Sequence, residues 1–424
     1  MNDFDLPLQR GGLAQPSGLR RVFASLNAPG FRLFSVSNAF ASVDMNVRLA
    51  VTGWLVLEIT DDSEAWVGVS AFILGLGQLL FSMVAGAIVD RFQRRTVMLF
   101  ETATSAAVSG GLAVGTYYGV VDLWLVLALS FVIGCQRAVR FTAANRFVYD
   151  LVGPRQLING VALWRLSSTP MMILGSLLAG ALIDWEGIWA AYAFMAVGLA
   201  ISLPFLLAIN VRGDVERAAV TLLSQTIEGV RFAASHRPIR VLFSISIVME
   251  TLGFAFLIMI PVMAKNVLEV GGTGMGVLQA GVGIGMLIAS LLMAARGDTR
   301  NKPRVIFWAA LGAGLALIGF ALSRSLVLSF FLAASVMAFL NAYDLTLGAL
   351  MQLVSPANMR GRAISLHSLA ISFTSLGAFT MGVTGAVVGV PLVLAVAGGG
   401  IVVNSLLRRS ALTSIDEHAN AREN

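Results

Sequence analysis

Charge is scarce in this chain. Only 12% of its 424 residues are Asp, Glu, Lys or Arg, too few to cover the surface of a water-soluble protein of this length. There is one cysteine, Cys135, so no disulfide can form within the chain. The three histidines, His236, His367 and His418, fall in unrelated places, and no metal-ligand or nucleophile spacing emerges around them. With lysine only at Lys265 and Lys302, there is no G-x-x-x-x-G-K-[ST] loop, which argues against ATP-driven pumping by this chain. A dense catalytic cluster and room for a sizeable soluble domain are both missing. The enzyme and receptor classes are therefore set aside, and neither a cofactor nor a metal is expected.

What the chain has is apolar length: 57% of its residues are hydrophobic, with a mean hydropathy of +0.83. A helix needs about 20 mostly apolar residues to cross a bilayer, and backbone groups in lipid must be satisfied within the segment. The pattern predicts an all-α integral membrane protein with twelve transmembrane helices. They span 31–57, 66–89, 96–118, 123–146, 160–183 and 187–210, then 239–264, 273–295, 304–323, 326–352, 362–385 and 388–407. A cytoplasmic N-terminal tail (1–30) lacks an apolar h-region and a cleavage site, and a C-terminal tail (408–424) is also placed in the cytoplasm.

The net charge of +6 follows from topology rather than from nucleic acid binding. Basic residues gather in alternate loops: Arg91, Arg94 and Arg95; Arg146 and Arg155; Arg212, Arg217, Arg231 and Arg237; Arg296, Arg300 and Lys302; Arg360 and Arg362. Opposite loops carry Asp61, Asp62, Glu64, Asp122, Asp184 and Glu186, with Lys265 and Arg324 as their only bases. The asymmetry alternates with every crossing, which places the basic loops in the cytoplasm and the chain in the inner membrane.

The two halves repeat each other. Asp90 and Asp298 hold matching places, and Leu151-Val152-Gly153-Pro154 echoes Leu353-Val354-Ser355-Pro356. Parallel repeats predict two pseudo-symmetric six-helix bundles, 31–210 and 239–407, with a cavity between them. The linker, 211–238, carries Val220, Leu223, Ile227, Val230 and Ala234 on one face, an amphipathic helix along the cytoplasmic interface.

The stretch Gly86-Ala-Ile-Val-Asp90-Arg91-Phe-Gln-Arg94-Arg95 resembles the loop motif G-x-x-x-D-R-x-G-R-[RK] of the major facilitator superfamily, with Gln93 in place of the glycine. Leu55-Val56-Leu57-Glu58-Ile59-Thr60, Glu228-Gly229-Val230-Arg231 and Arg360-Gly361-Arg362 resemble the branch of enterobactin and macrolide exporters. The resemblance covers residues 31–407. It implies the superfamily fold and outward export of a small amphipathic molecule driven by protons. It also implies that Asp90 accepts from backbone N–H groups at the start of helix 11 and locks an outward-open state. Arg91, Arg94 and Arg95 either anchor the loop at the anionic leaflet or only set topology.

Ionisable residues within the hydrocarbon cost about 2.5–3.5 kcal/mol each on insertion scales. Asp44 and Arg48, midway along helix 1, are spaced to pair. Glu250, in the middle of helix 7, is expected to face Asp44 across the cavity. Asp44 is the leading candidate for a proton or cation-substrate site and Glu250 the second, against a static Asp44–Arg48 pair that only packs helix 1. Glu101, Arg137, Arg140 and Asp344 form a candidate charge relay at the inner gate, with a purely structural network as the alternative. The helix 4 segment Gly134-Cys135-Gln136-Arg137-Ala138-Val139-Arg140 does not match the R-x-x-Q-G motif of many drug exporters. Trp54, Phe254, Phe256 and Met259 are candidate pocket residues for a lipophilic substrate. The expected function is proton-coupled export of a drug, macrolide or siderophore by one chain acting as a monomer in the lipid bilayer, with uptake or lipid translocation on the same fold as the alternative.

Overall fold

The structure is a computed structural model and describes residues 24–153, 156–210, 236–296, 301–356 and 359–423. Among them are twelve helices long and apolar enough to cross a membrane. The first six are α1 (Pro29–Ile59), α2 (Glu64–Arg91), α3 (Arg94–Tyr117), α4 (Leu123–Val152), α5 (Leu157–Glu186) and α6 (Ile188–Leu207). The second six are α7 (Arg237–Val267), α8 (Gly271–Arg296), α9 (Lys302–Leu322), α10 (Leu326–Val354), α11 (Arg360–Ile371 and Phe373–Val388) and α12 (Val390–Glu423). Every expected crossing is present, and most run past the expected ends. The apolar window marks only the length inside hydrocarbon, whereas helical hydrogen bonding continues through polar flanks such as Asp150 and Arg91. The largest difference is at the C-terminal end: residues 408–423 continue α12 instead of forming a separate tail. The expected N-terminal tail up to residue 23 and the amphipathic linker helix over 211–235 lie outside the described residues.

The internal repeat is visible in the packing. Helix α2 packs on α4 and α3 on α6; in the second half α8 packs on α10 and α9 on α12. The turn between α5 and α6 is made by Gly187 at φ +96°, and the corresponding turn between α11 and α12 by Gly389 at φ +88°. Both need the left-handed conformation that glycine adopts without steric cost. The fold is two pseudo-symmetric six-helix bundles.

Two symmetry-related seams join the bundles, α2 against α11 and α5 against α8. Small residues let these backbones approach closely. A Cβ built on Gly276 of α8 would lie 2.4 Å from the Ser176 carbonyl oxygen of α5, and one on Gly68 of α2 would lie 2.8 Å from the Ala378 carbonyl oxygen of α11. The seams extend from the α1–α2 turn to the levels of Gly75 against Ser375 and Ile173 against Gly283. Polar contacts reinforce that end. Asp184 of α5 accepts from the backbone N–H groups of Gly272 (2.6 Å) and Thr273 (2.8 Å) at the start of α8. Lys265 pairs with Asp62 at 2.6 Å and lies 5.7 Å from the Trp54 ring centroid. Tyr117, Tyr118, Trp124 and Trp185 are exposed at the same end, as interfacial aromatic side chains are. Exposed apolar side chains such as Leu178, Leu291, Phe331 and Val396 suit a lipid surround.

Candidate functional site

Helix α1 places Asp44 and Arg48 on one face, one turn apart, and both are buried. The Asp44 carboxylate accepts from Arg48 Nε at 3.1 Å and also from Arg48 Nη2. Ser109 of α3 adds a third donor, its Oγ lying 3.0 Å from Asp44 Oδ1. Low dielectric strengthens each of these bonds. The pair was legible from its i,i+4 spacing; Ser109 was not, because it comes from another helix.

About two turns along α3 from Ser109, Glu101 accepts from Arg140 Nη1 of α4 at 2.7 Å and from Ser105 Oγ at 3.1 Å. Ser105 also reaches Gln136 Oε1 at 3.2 Å. Arg137 stands beside these groups, where Asp44 and Arg48 are the charges that act on it. Together Asp44, Arg48, Glu101, Ser105, Gln136, Arg137 and Arg140 line one pocket within the N-terminal bundle, closed by apolar residues including Leu74, Ile133 and Leu199. Met45, also on its wall, is exposed. Glu101, Arg137 and Arg140 thus come together as expected, but with Asp44 and Arg48 rather than as a separate inner relay.

Asp344 does not join them. It lies on α10 in the other bundle, 3.0 Å from His367 Nε2 of α11. Glu250 also departs from expectation. Its carboxylate accepts from Thr374 Oγ1 of α11 at 2.6 Å, and the ionisable groups that act on it are Asp344 and His367. Glu250 belongs to a second polar cluster inside the C-terminal bundle. It sits on a π-helical turn of α7 at Met249–Phe254, a wider turn that re-aims side chains and recurs at functional sites. His367 was set aside in the sequence because nothing local marks it; its partners are supplied only by the packing of α10 and α11.

The loop motif forms a third group. Asp90 pairs with Arg146 of α4, Arg94 with Asp150 of α4, and Arg95 donates to the carbonyl oxygens of Leu206 (3.1 Å) and Leu207 at the end of α6. Arg91 is exposed, and Gly86 is buried. Among the described residues, the expected contact from Asp90 to the start of α11 is not made. The bundles are pressed together at the opposite end, and Asp90 takes its counter-ion within its own bundle. Gln93 stands at φ −59°, a conformation open to any residue, so the motif's glycine is not needed for this turn. Trp54, Phe256 and Met259 pack in the apolar core, with Phe254 against it, rather than around the polar pocket.

Comparison with known proteins agrees with this architecture. The family model described as "Transmembrane secretion effector" matches residues 21–424. The enterobactin exporter EntS of Shigella flexneri is 23% identical over 373 residues, 88% of each chain. EntS of Citrobacter koseri is 23% identical over 381 residues, 89% of this chain and 91% of its own. Among solved structures, the nucleoside transporter NupG superposes with a TM-score of 0.72 at 13% identity, over 91% of this chain and 98% of its own. An inward-facing bacterial homologue of the lysosomal transporter Spinster gives 0.64 at 14% identity, over 94% and 98%. At such identities the structural likeness speaks for the fold alone. With twelve spans, a duplicated bundle and a family model covering nearly its whole length, the chain is a multi-pass membrane transporter that belongs to the transmembrane secretion effector family of the major facilitator superfamily.

Proposed function

We propose that the chain is a secondary active exporter, moving a small amphipathic compound such as a drug, macrolide or siderophore out of the cytoplasm in exchange for protons. The observation that carries this reading is Asp44, a carboxylate on the pocket wall midway along a membrane-spanning helix, held between Arg48 and Ser109. Ionised, it is stabilised by an ion pair and a hydroxyl donor; protonated, it loses the ion pair and frees Arg48. One proton therefore changes both the charge and the donors that the pocket offers, which is the minimum that coupling requires. Glu250, with Thr374, is the second candidate proton site.

The bundles meet at the end carrying the acidic loops, which the arginine pattern assigns to the cell exterior. On that topology, with both termini cytoplasmic and the chain in the inner membrane, the arrangement is shut to the outside. Rocking the bundles about the pocket would part the α2–α11 and α5–α8 seams and bring Asp90 within reach of the start of α11. Both bundles come from one chain, so a monomer suffices.

Export of fluorescent dyes, macrolides and catecholate siderophores from efflux-deficient cells tests the proposal. Intact protein is compared with Asp44→Asn at matched expression, with and without a protonophore. Loss of export in the variant and on uncoupling is expected. Export that persists in Asp44→Asn makes Asp44 structural and sinks the coupling role assigned to it.

A further inference from the structure

The pocket holds more positive charge than its own carboxylates neutralise: Arg48, Arg137 and Arg140 stand against Asp44 and Glu101. Arg140 is matched with Glu101, and Arg48 with Asp44. Arg137 is left over. It lies midway along α4, about 21 Å from the Leu123 end at 1.5 Å per residue, and among the described residues its guanidinium has neither a hydrogen-bond nor an ion-pair partner. A second, independent observation concerns Arg48. Its side chain is 5% exposed, yet among the described residues Nη1 has no hydrogen-bond partner although Nε and Nη2 are both engaged. A buried donor left without an acceptor costs about 1–3 kcal/mol, more when it is charged. An arginine inside the membrane costs more again unless something pairs with it.

Arginine stays protonated and presents planar, paired N–H donors that match a carboxylate or a comparably charged oxygen pair. From this geometry we infer that the substrate carries an anionic oxygen group, and that Arg137, with Nη1 of Arg48, is its receptor in the pocket. Gln136 and Ser105 add neutral donors and acceptors on the same wall for a neighbouring hydroxyl or amide. The inference rests on the reading of this pocket as the transport pocket, but not on the identity of the coupling ion. It narrows the amphipathic substrates considered above to those with an acidic group and ranks purely cationic drugs last.

Three matched naphthalenes test it: 2-naphthoate, 2-naphthamide and 2-naphthylmethylammonium, titrated by fluorescence anisotropy against the full chain in lipid nanodiscs without a gradient. Naphthoate is expected to bind at least tenfold more tightly than the other two. Arg137→Gln should weaken naphthoate about ten- to a hundredfold, the loss of one charge-assisted contact, and leave naphthamide unchanged. Arg137→Lys, which keeps the charge but not the fork, should restore part of it. Equal binding of the three probes, or naphthoate binding untouched by Arg137→Gln, overturns the inference. A measurement that needs no substrate guards against a panel that fails to bind. With Cys135→Ala as background, Met45→Cys places a thiol on the pocket wall. Its modification rate by anionic over cationic methanethiosulfonate reagents should fall at least tenfold on adding Arg137→Gln. An unchanged ratio also overturns the inference. Loss of proton-driven export in cells with selective naphthoate binding intact would remove the coupling and leave this assignment standing; the converse result would remove the assignment and leave export.

Discussion

Asp184 offers a direct test of how the bundles are held together. Its two carboxylate oxygens accept from consecutive backbone N–H groups, Gly272 at 2.6 Å and Thr273 at 2.8 Å, across the seam between α5 and α8. Those donors belong to the first turn of α8, where no carbonyl of the helix can satisfy them and where the helix dipole favours negative charge. In a buried site each charge-assisted bond contributes about 1.5–3 kcal/mol. Asp184 is exposed, so solvent screening cuts the pair to about 1–2 kcal/mol in total. Asp184→Asn keeps the shape and removes the charge, and should shift the balance between the joined and parted forms of this end by about 5–30-fold. Pulsed electron resonance between spin labels at Val120→Cys and Val327→Cys, both exposed at the joined end in different bundles, reads that balance in a Cys135→Ala background. A longer-distance population should grow by that factor in Asp184→Asn. An unchanged distribution would mean that the glycine seams alone hold the bundles and that the capping contact is incidental.

Two further tests address packing and buried charge. Gly276→Val would put a Cβ 2.4 Å from the Ser176 carbonyl oxygen and 3.2 Å from the Gly180 Cα. It should wedge the α5–α8 seam, lower transport and raise thiol labelling at the joined end without loss of expression, while Gly399→Ala, which meets nothing within 4 Å, should be silent; equal effects would refute the seam. Breaking the buried Arg140–Glu101 pair from one side should cost about 3–5 kcal/mol and removing both partners far less, so Glu101→Gln or Arg140→Gln should each lower the thermal midpoint in detergent more than Glu101→Gln with Arg140→Gln. Additive losses would refute the pairing.

The fold was legible in the sequence because bilayer crossing demands long apolar segments and the arginines gathered in alternate loops mark each reversal. Helix lengths were less so: α12 continues to Glu423 because helical hydrogen bonding does not stop where hydropathy falls. Asp44 and Arg48 were readable as partners because one helical turn separates them. The pairing of Asp344 with His367 and of Glu250 with Thr374 depends on how separate helices rotate against each other, which no local pattern encodes. Asp90 shows a different limit. The motif fixes the carboxylate at Asp90 but not the residue that faces it, which depends on which ends of the two bundles are joined. With the bundles joined at the opposite end, Arg146 is the partner it meets.

Among the described residues, the two bundles repeat their backbone contacts and not their buried charges. Helix pairs α2–α4 and α8–α10 pack alike, as do α3–α6 and α9–α12. The first bundle nevertheless encloses three guanidiniums with two carboxylates, while the second places two carboxylates near a histidine. If these charges were needed to hold the fold, duplicated bundles with the same packing would be expected to carry them at matching places. Each costs about 2.5–3.5 kcal/mol on insertion, and small-residue seams such as Gly180 against Gly276 supply close helix packing without them. On the proposed exporter function, these charges answer to what the pocket binds and releases rather than to what the fold must hold, and their asymmetry then assigns the two halves different chemical tasks on one shared scaffold.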